Sequence, residues 1–221
     1  MMTDGPDPGD LKAQIVAEVR ARPSAPRRTI ARRTLVFTLG AWGAGLAIFE
    51  LAGGIRLTER PLSQLLGTAL GTGALAAAAA WVSLSRGAST LGRAPRVTLP
   101  VAVGVAPLIL VWKLVWSSRY AGALGEWPTR PGFKCLALSL GIAALPLLSF
   151  LASRRFTDPR HPVVSGLVAG LSIGAVVSVL TDLWCPVAYV PHLLLGHVLP
   201  IAILGAIGGG LGRLFETRPS K

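Results

Sequence analysis

Charge is scarce in this chain. Only 14% of its 221 residues are charged, against about 25% in an ordinary soluble domain. Acids are the rarer sign, 10 of them against 22 lysines and arginines. A soluble domain so poor in charge lacks the polar surface to cover itself. With 52% hydrophobic residues and a mean hydropathy of +0.58, disorder is also excluded for most of the length. The net charge of +12 does not point to nucleic acid, because a soluble nucleic-acid binder carries its charge on the kind of polar surface missing here. No direct nucleic-acid partner is expected. These absences leave a membrane protein.

Other absences narrow the class. There is no CxxC pair or set of haem ligands, as a membrane redox enzyme would need. A rhomboid-type protease requires a Gly-x-Ser-Gly nucleophile, but Val163 stands where Ser165-Gly166 would need the first glycine. Ser165 also falls near the opposite membrane face from His192 and His197, beyond the hydrogen-bond reach that serine–histidine catalysis requires. Pro107, Pro146 and Pro200 interrupt apolar runs, yet no polar cluster joins them, as a midplane transport site would. Asp4, Asp7 and Asp10 near the start argue against a secretory signal peptide.

Long apolar runs are what the chain has. A bilayer core about 30 Å thick needs about 20 apolar residues in a helix. Runs of that kind cover Thr34 to Ile55, Pro61 to Ser85, Val97 to Ser118, Cys135 to Ser153 and His161 to Thr181. Leu183 to Gly212 has no charged residue and must hold a loop and a last span, with Pro186 and Pro191 placing that loop at roughly 182 to 190. The reading is an all-α membrane protein, a bundle of six transmembrane helices. Lysine and arginine bias sets its orientation. Sixteen of these residues, including Arg27, Arg28, Arg32 and Arg33 in the leader, fall on the side of the N-terminus, and six on the other. Both termini are therefore expected in the cytoplasm, and much of the positive charge meets the cytoplasmic leaflet of the lipid bilayer.

Glycine recurs at four-residue intervals, at Gly67 and Gly71, at Gly166, Gly170 and Gly174, and at Gly205 and Gly209. Such small faces let helix backbones approach closely within lipid. Glu50 and Lys113 are the only charges inside the spans. They are a candidate intramembrane pair, near the outer ends of their helices, where snorkelling competes as an explanation.

Cys135 opens the fourth span and Cys185 follows the fifth, so topology brings both to the extracytoplasmic face. Disulfides persist in that compartment. A bridge, a thiophilic metal site and simple packing all remain open for the pair. Asp182, His192 and His197 could supplement a metal site, but they read first as ordinary loop and helix-end residues. None of these residues has the tight spacing of a zinc motif, so neither a metal nor another cofactor is expected, and no catalytic residue is assigned.

The leader carries one further signal. Asp10 and Gln14 are placed like the ends of a capping box. Leu11, Ile15 and Val19, with Val16 beside them, then form one apolar stripe at helical spacing. Pro23 and Pro26 end it before the basic run Arg27 to Arg33. A single short amphipathic helix does not fold alone; it lies on a membrane or docks into a partner. Its mixed charge, with Asp4, Asp7, Asp10 and Glu18, favours a protein partner.

These features together resemble the NrsF-type bacterial membrane anti-sigma factors. The resemblance is best over about 130 to 215: Cys135-Leu136 opening a helix that ends in Arg154-Arg155, a glycine-spaced span running to Trp184-Cys185-Pro186, and a last helix with His197 and Gly208-Gly209-Gly210-Leu211-Gly212-Arg213. The first half matches in architecture only. The resemblance implies a non-enzymatic negative regulator of transcription at the bacterial inner membrane. It would hold an extracytoplasmic-function sigma factor through the leader helix Leu11 to Val19 and release it on an outside signal. Cys135 and Cys185 would be the sensor pair, and a regulatory membrane protease a companion route of release. The layout is also similar to light-responsive anti-sigma factors that control carotenoid synthesis, so the expected signal is envelope, oxidative or light-generated stress. The leader's arginines and prolines depart from the pattern and blur its docking surface. The expected organisation is a partner-binding segment at 1–33, the six-span bundle at 34–212 and a cytoplasmic tail at 213–221. The competing reading is a small multispan transporter or channel.

Overall fold

The computed structural model describes residues 13, 17, 27–56, 59–84, 94–121, 125, 131–154 and 161–216. The chain divides into two compact units, residues 1–36 and 37–221. In the first, Ala13 and Ala17 are helical and exposed, while Leu11, Ile15, Val16 and Val19 lie outside the described residues.

Helix α1 spans Arg27–Leu51, α2 Leu62–Leu84, α3 Pro95–Ser117, α4 Phe133–Arg154 and α5 Pro162–Trp184. A short α6 (Val190–Leu193), a π-helical segment (Leu194–Val198) and α7 (Leu199–Glu216) then follow without a break and make one last helix. The architecture is thus six helices, with no strand among the described residues. Five are long and apolar enough to cross a membrane: Leu62–Val82, Pro95–Ser117, Phe133–Ser153, Pro162–Trp184 and Val190–Leu214. The apolar part of α1, Leu35–Leu51, lies at the short end of the range of about 17–25 residues that spans use. Leu70, Trp81, Val103, Val111 and Leu148 are exposed, as side chains facing lipid must be.

Helix α5 is the hub. Just over half of it is buried, 56%, and it packs against α2, α3, α4 and α7. One apolar core joins Phe49 of α1, Ile142, Ala143 and Leu147 of α4, Ala169 and Ile173 of α5 and Leu204 of α7. A second joins Ala76 and Ala79 of α2 with Val105 and Ile109 of α3 and Ala175 of α5.

The glycines of α5 act as expected. A Cβ added at Gly166 would fall 2.1 Å from the Gly208 carbonyl oxygen, and one at Gly170 2.0 Å from that of Leu204. Backbone meets backbone there, and only glycine fits. Gly67 and Gly71 differ. They receive tryptophan rings, not a helix backbone: an added Cβ would overlap Trp116 at Gly67 and Trp112 at Gly71. The two rings stack with centroids 5.9 Å apart, and Trp112 Nε1 donates to the Gly67 carbonyl at 3.1 Å.

Two features refine the sequence expectation. Helix α5 continues through Asp182 to Trp184, so the connection is residues 185–189 and not 182–190. Pro186 sets this end, because the residue before a proline avoids the α region; Cys185 is extended, with φ −107° and ψ 116°. Pro107 and Pro146 lie inside α3 and α4 without ending them, as transmembrane helices tolerate.

Candidate functional site: a buried cysteine and histidine cluster

Two glycines press the start of α4 onto the last helix. Gly132, just before α4, has φ +95°, and a Cβ there would meet the His192 carbonyl at 3.0 Å and the Gly196 nitrogen at 3.2 Å. A Cβ at Gly196 would lie 2.9 Å from Cβ of Cys135. This close approach places Cys135, in the first turn of α4, against the face that carries His192.

The π-helical segment supplies the second histidine. His192 and His197 are five residues apart, which in a regular α-helix is a turn of about 140° around the axis. The wider π turn at Leu194–Val198 gathers them on one face, with ring centroids 5.7 Å apart. Cys185 joins from the end of α5. His192 Nε2 lies 3.4 Å from Cys135 Sγ and 3.1 Å from Cys185 Sγ. All four side chains are buried, and one ligand atom from each lies within 4.8 Å of the others. Both thiols are free. Hydrogen bonds from Cys135 first, and then from His192, hold Cys185 below the usual thiol range against the opposing effect of burial.

The structure brings Cys135 and Cys185 together at one end of the bundle and sets His192 and His197 beside them. A cavity of about 330 Å³ reaches Cys135, Cys185 and His192 and is walled by Arg56, Phe133, Lys134 and Trp184 among others. Arg56 pairs with Glu59 at 2.8 Å and stacks 4.5 Å over the Trp184 ring.

Beside the cluster lies a charged network. Lys113 of α3 is paired with Asp182 of α5, and Arg60 sits at 3.9 Å on the other carboxylate oxygen. Arg60 also donates to the Asp182 carbonyl. This corrects two expectations. The partner of Lys113 is Asp182 and not Glu50, which is exposed near Gly54; and a polar cluster does join the spans. The physical reason is that a lysine buried in α3 needs a carboxylate at its own depth, and the longer α5 supplies one. Ser139 and Thr181 hydrogen bond at 2.7 Å on the same end of α5. A cavity of about 10 Å³ is lined by Lys113, Asp182 and His197, room for about one water.

A family profile described as a negative regulator of sigma F matches residues 15–215. The chain belongs to the NrsF family. That match takes in five complete helices and nearly all of the last. No curated protein and no solved structure matches the chain. As an NrsF protein it is an anti-sigma factor, a regulator whose partner is a sigma factor, and its apolar helices make it a membrane protein. The cysteine and histidine cluster therefore belongs to a membrane-embedded regulator.

Proposed function

We propose that the chain holds an extracytoplasmic-function sigma factor at the bacterial inner membrane and releases it on an envelope, oxidative or light-generated signal. The observation that carries this reading is the family match over residues 15–215. The apolar stripe Leu11, Ile15, Val16 and Val19 is the docking element, covering apolar sigma surface without catalysis. Lysine and arginine bias supports a cytoplasmic position for that segment and an extracytoplasmic one for the cysteines.

Cys135 and Cys185 are the sensor. On oxidation the two thiols give two protons and two electrons to an oxidant, and the sulfurs close to about 2.05 Å. The resulting pull on the start of α4 and the end of α5 shifts the helices that Ser139 and Thr181 hold in register. Moving a partner from 99% to 1% bound-competent takes about 5.5 kcal/mol, while a disulfide closing a loop of this size supplies about 4 kcal/mol. Proteolysis by a membrane protease fits as a companion route. A light-responsive role in carotenoid synthesis belongs to the same proposal.

The second reading, a small transporter or channel, has the Lys113–Asp182–Arg60 network in its favour, since ionisable groups at membrane depth mark ion pathways. The small cavity beside the network weakens it. Co-purification in detergent decides between the two. Mass spectrometry should find a sigma factor with the full chain and none after deletion of residues 1–33. Recovery with both would move the interface to the loops. Recovery with neither would remove the anti-sigma reading and bring transport assays forward.

A further inference from the structure

We propose that Cys135, Cys185, His192 and His197 form a tetrahedral site for a zinc ion. The donor set comes first. Two thiolates and two imidazoles with tetrahedral placement select zinc, and the two thiolate charges cancel those of the cation. A neutral site suits its burial, with all four residues at 5% exposure or less.

The distances agree. With Zn–S at about 2.3 Å and Zn–N at about 2.05 Å, the sulfur–nitrogen edge of a tetrahedron is about 3.5 Å. The observed edges from His192 Nε2 are 3.4 and 3.1 Å, and the whole set fits within 4.8 Å. A second observation is independent of the cysteines. Nε2 of His197 is buried without a hydrogen-bond partner, a costly state for a ring nitrogen, and coordination to the ion satisfies it. The cavity at the mouth supplies a path for the metal. Of the two cations that line it, Arg56 and Lys134, Arg56 is offset by Glu59.

The four ligands come from the start of α4, the end of α5, and the last helix just before and within the π turn. A bound ion therefore ties three segments together at one end of the bundle, and it explains why the last helix is wound as a π turn just there. The site stands on its donors alone, whatever partner the leader binds.

The test uses the full chain purified anaerobically in detergent with zinc present, and reads metal content and thiol reactivity, neither of which involves a sigma factor. About one zinc per chain is expected, with both thiols unreactive until a chelator is added. Replacing the zinc with cobalt should give the visible bands of tetrahedral cobalt and thiolate-to-cobalt charge transfer. Loss of groups that merely orient ligands costs 10- to 100-fold in affinity, so C185S and His197→Gln should each weaken zinc binding by about 100-fold or more. The control Tyr120→Phe, at an exposed hydroxyl bonded to Ser63, should bind as the parent does. Should the ligand variants fail to fold, the cobalt spectrum and the chelator-gated thiols of the unsubstituted chain carry the decision. The proposal is overturned by a zinc-free chain with thiols reactive regardless of chelator, by a Cys135–Cys185 disulfide in the anaerobic protein, or by copper(I) filling the site in preference to zinc.

Discussion

Lys113, Asp182 and Arg60 place three ionisable side chains in the interior of an apolar bundle, each 9% exposed or less. Their mutual attraction offsets a desolvation cost of several kcal/mol per ion. Removing one partner leaves the other uncompensated. Lys113→Met should therefore destabilise the bundle by about 3 kcal/mol, at the low end of the buried-pair range because Arg60 stays beside the carboxylate. Adding Asp182→Leu should recover part of that loss, and thermal unfolding in detergent measures both. At this scale the sequence was half legible. Lys113 stands out as a lone charge in a span, but its partner lies just past the point where the uncharged run appears to stop, so Asp182 looks like a loop residue. Topology alone aligns Cys135 with Cys185. Five-residue spacing hides His192 and His197, because it reads as two faces of a helix until the π turn folds them into one.

Among the helices, α5 and α7 show how glycine works where lipid gives no hydrophobic drive. Gly170 faces the Leu204 carbonyl at a distance no Cβ tolerates, whereas at Gly209 the nearest atoms would lie at 3.6 Å, ordinary contact. Gly170→Ala should cost about 1–3 kcal/mol through overpacking. Gly209→Ala should be neutral or stabilising by up to about 1 kcal/mol, since alanine is the better helix former. Unfolding of the two variants side by side checks the contrast, and equal effects would contradict the packing described. The four-residue glycine period is visible in the sequence in all three places where it occurs. What it receives is not: a period of four leaves a groove, and whether a backbone or a tryptophan fills it depends on the facing helix.

The whole molecule was the most legible scale. Apolar runs separated by prolines and arginines specify six helices, because each run must satisfy its own backbone hydrogen bonds inside the bilayer. The proposed function joins two parts of the chain, a leader that captures a sigma factor and a thiol-bearing site that senses. The most direct measurement is the partition of the sigma factor between membrane and cytosol in cells carrying either the parent chain or the double variant L11D/I15D. The parent should retain the sigma factor in the membrane fraction. The variant, present in the membrane at the same level, should weaken binding at least about tenfold, the equivalent of 1.4 kcal/mol, shifting the sigma factor to the cytosol and raising transcription from its promoter. A sigma factor that stays in the membrane with the variant, or that never enters it with the parent, would contradict the account.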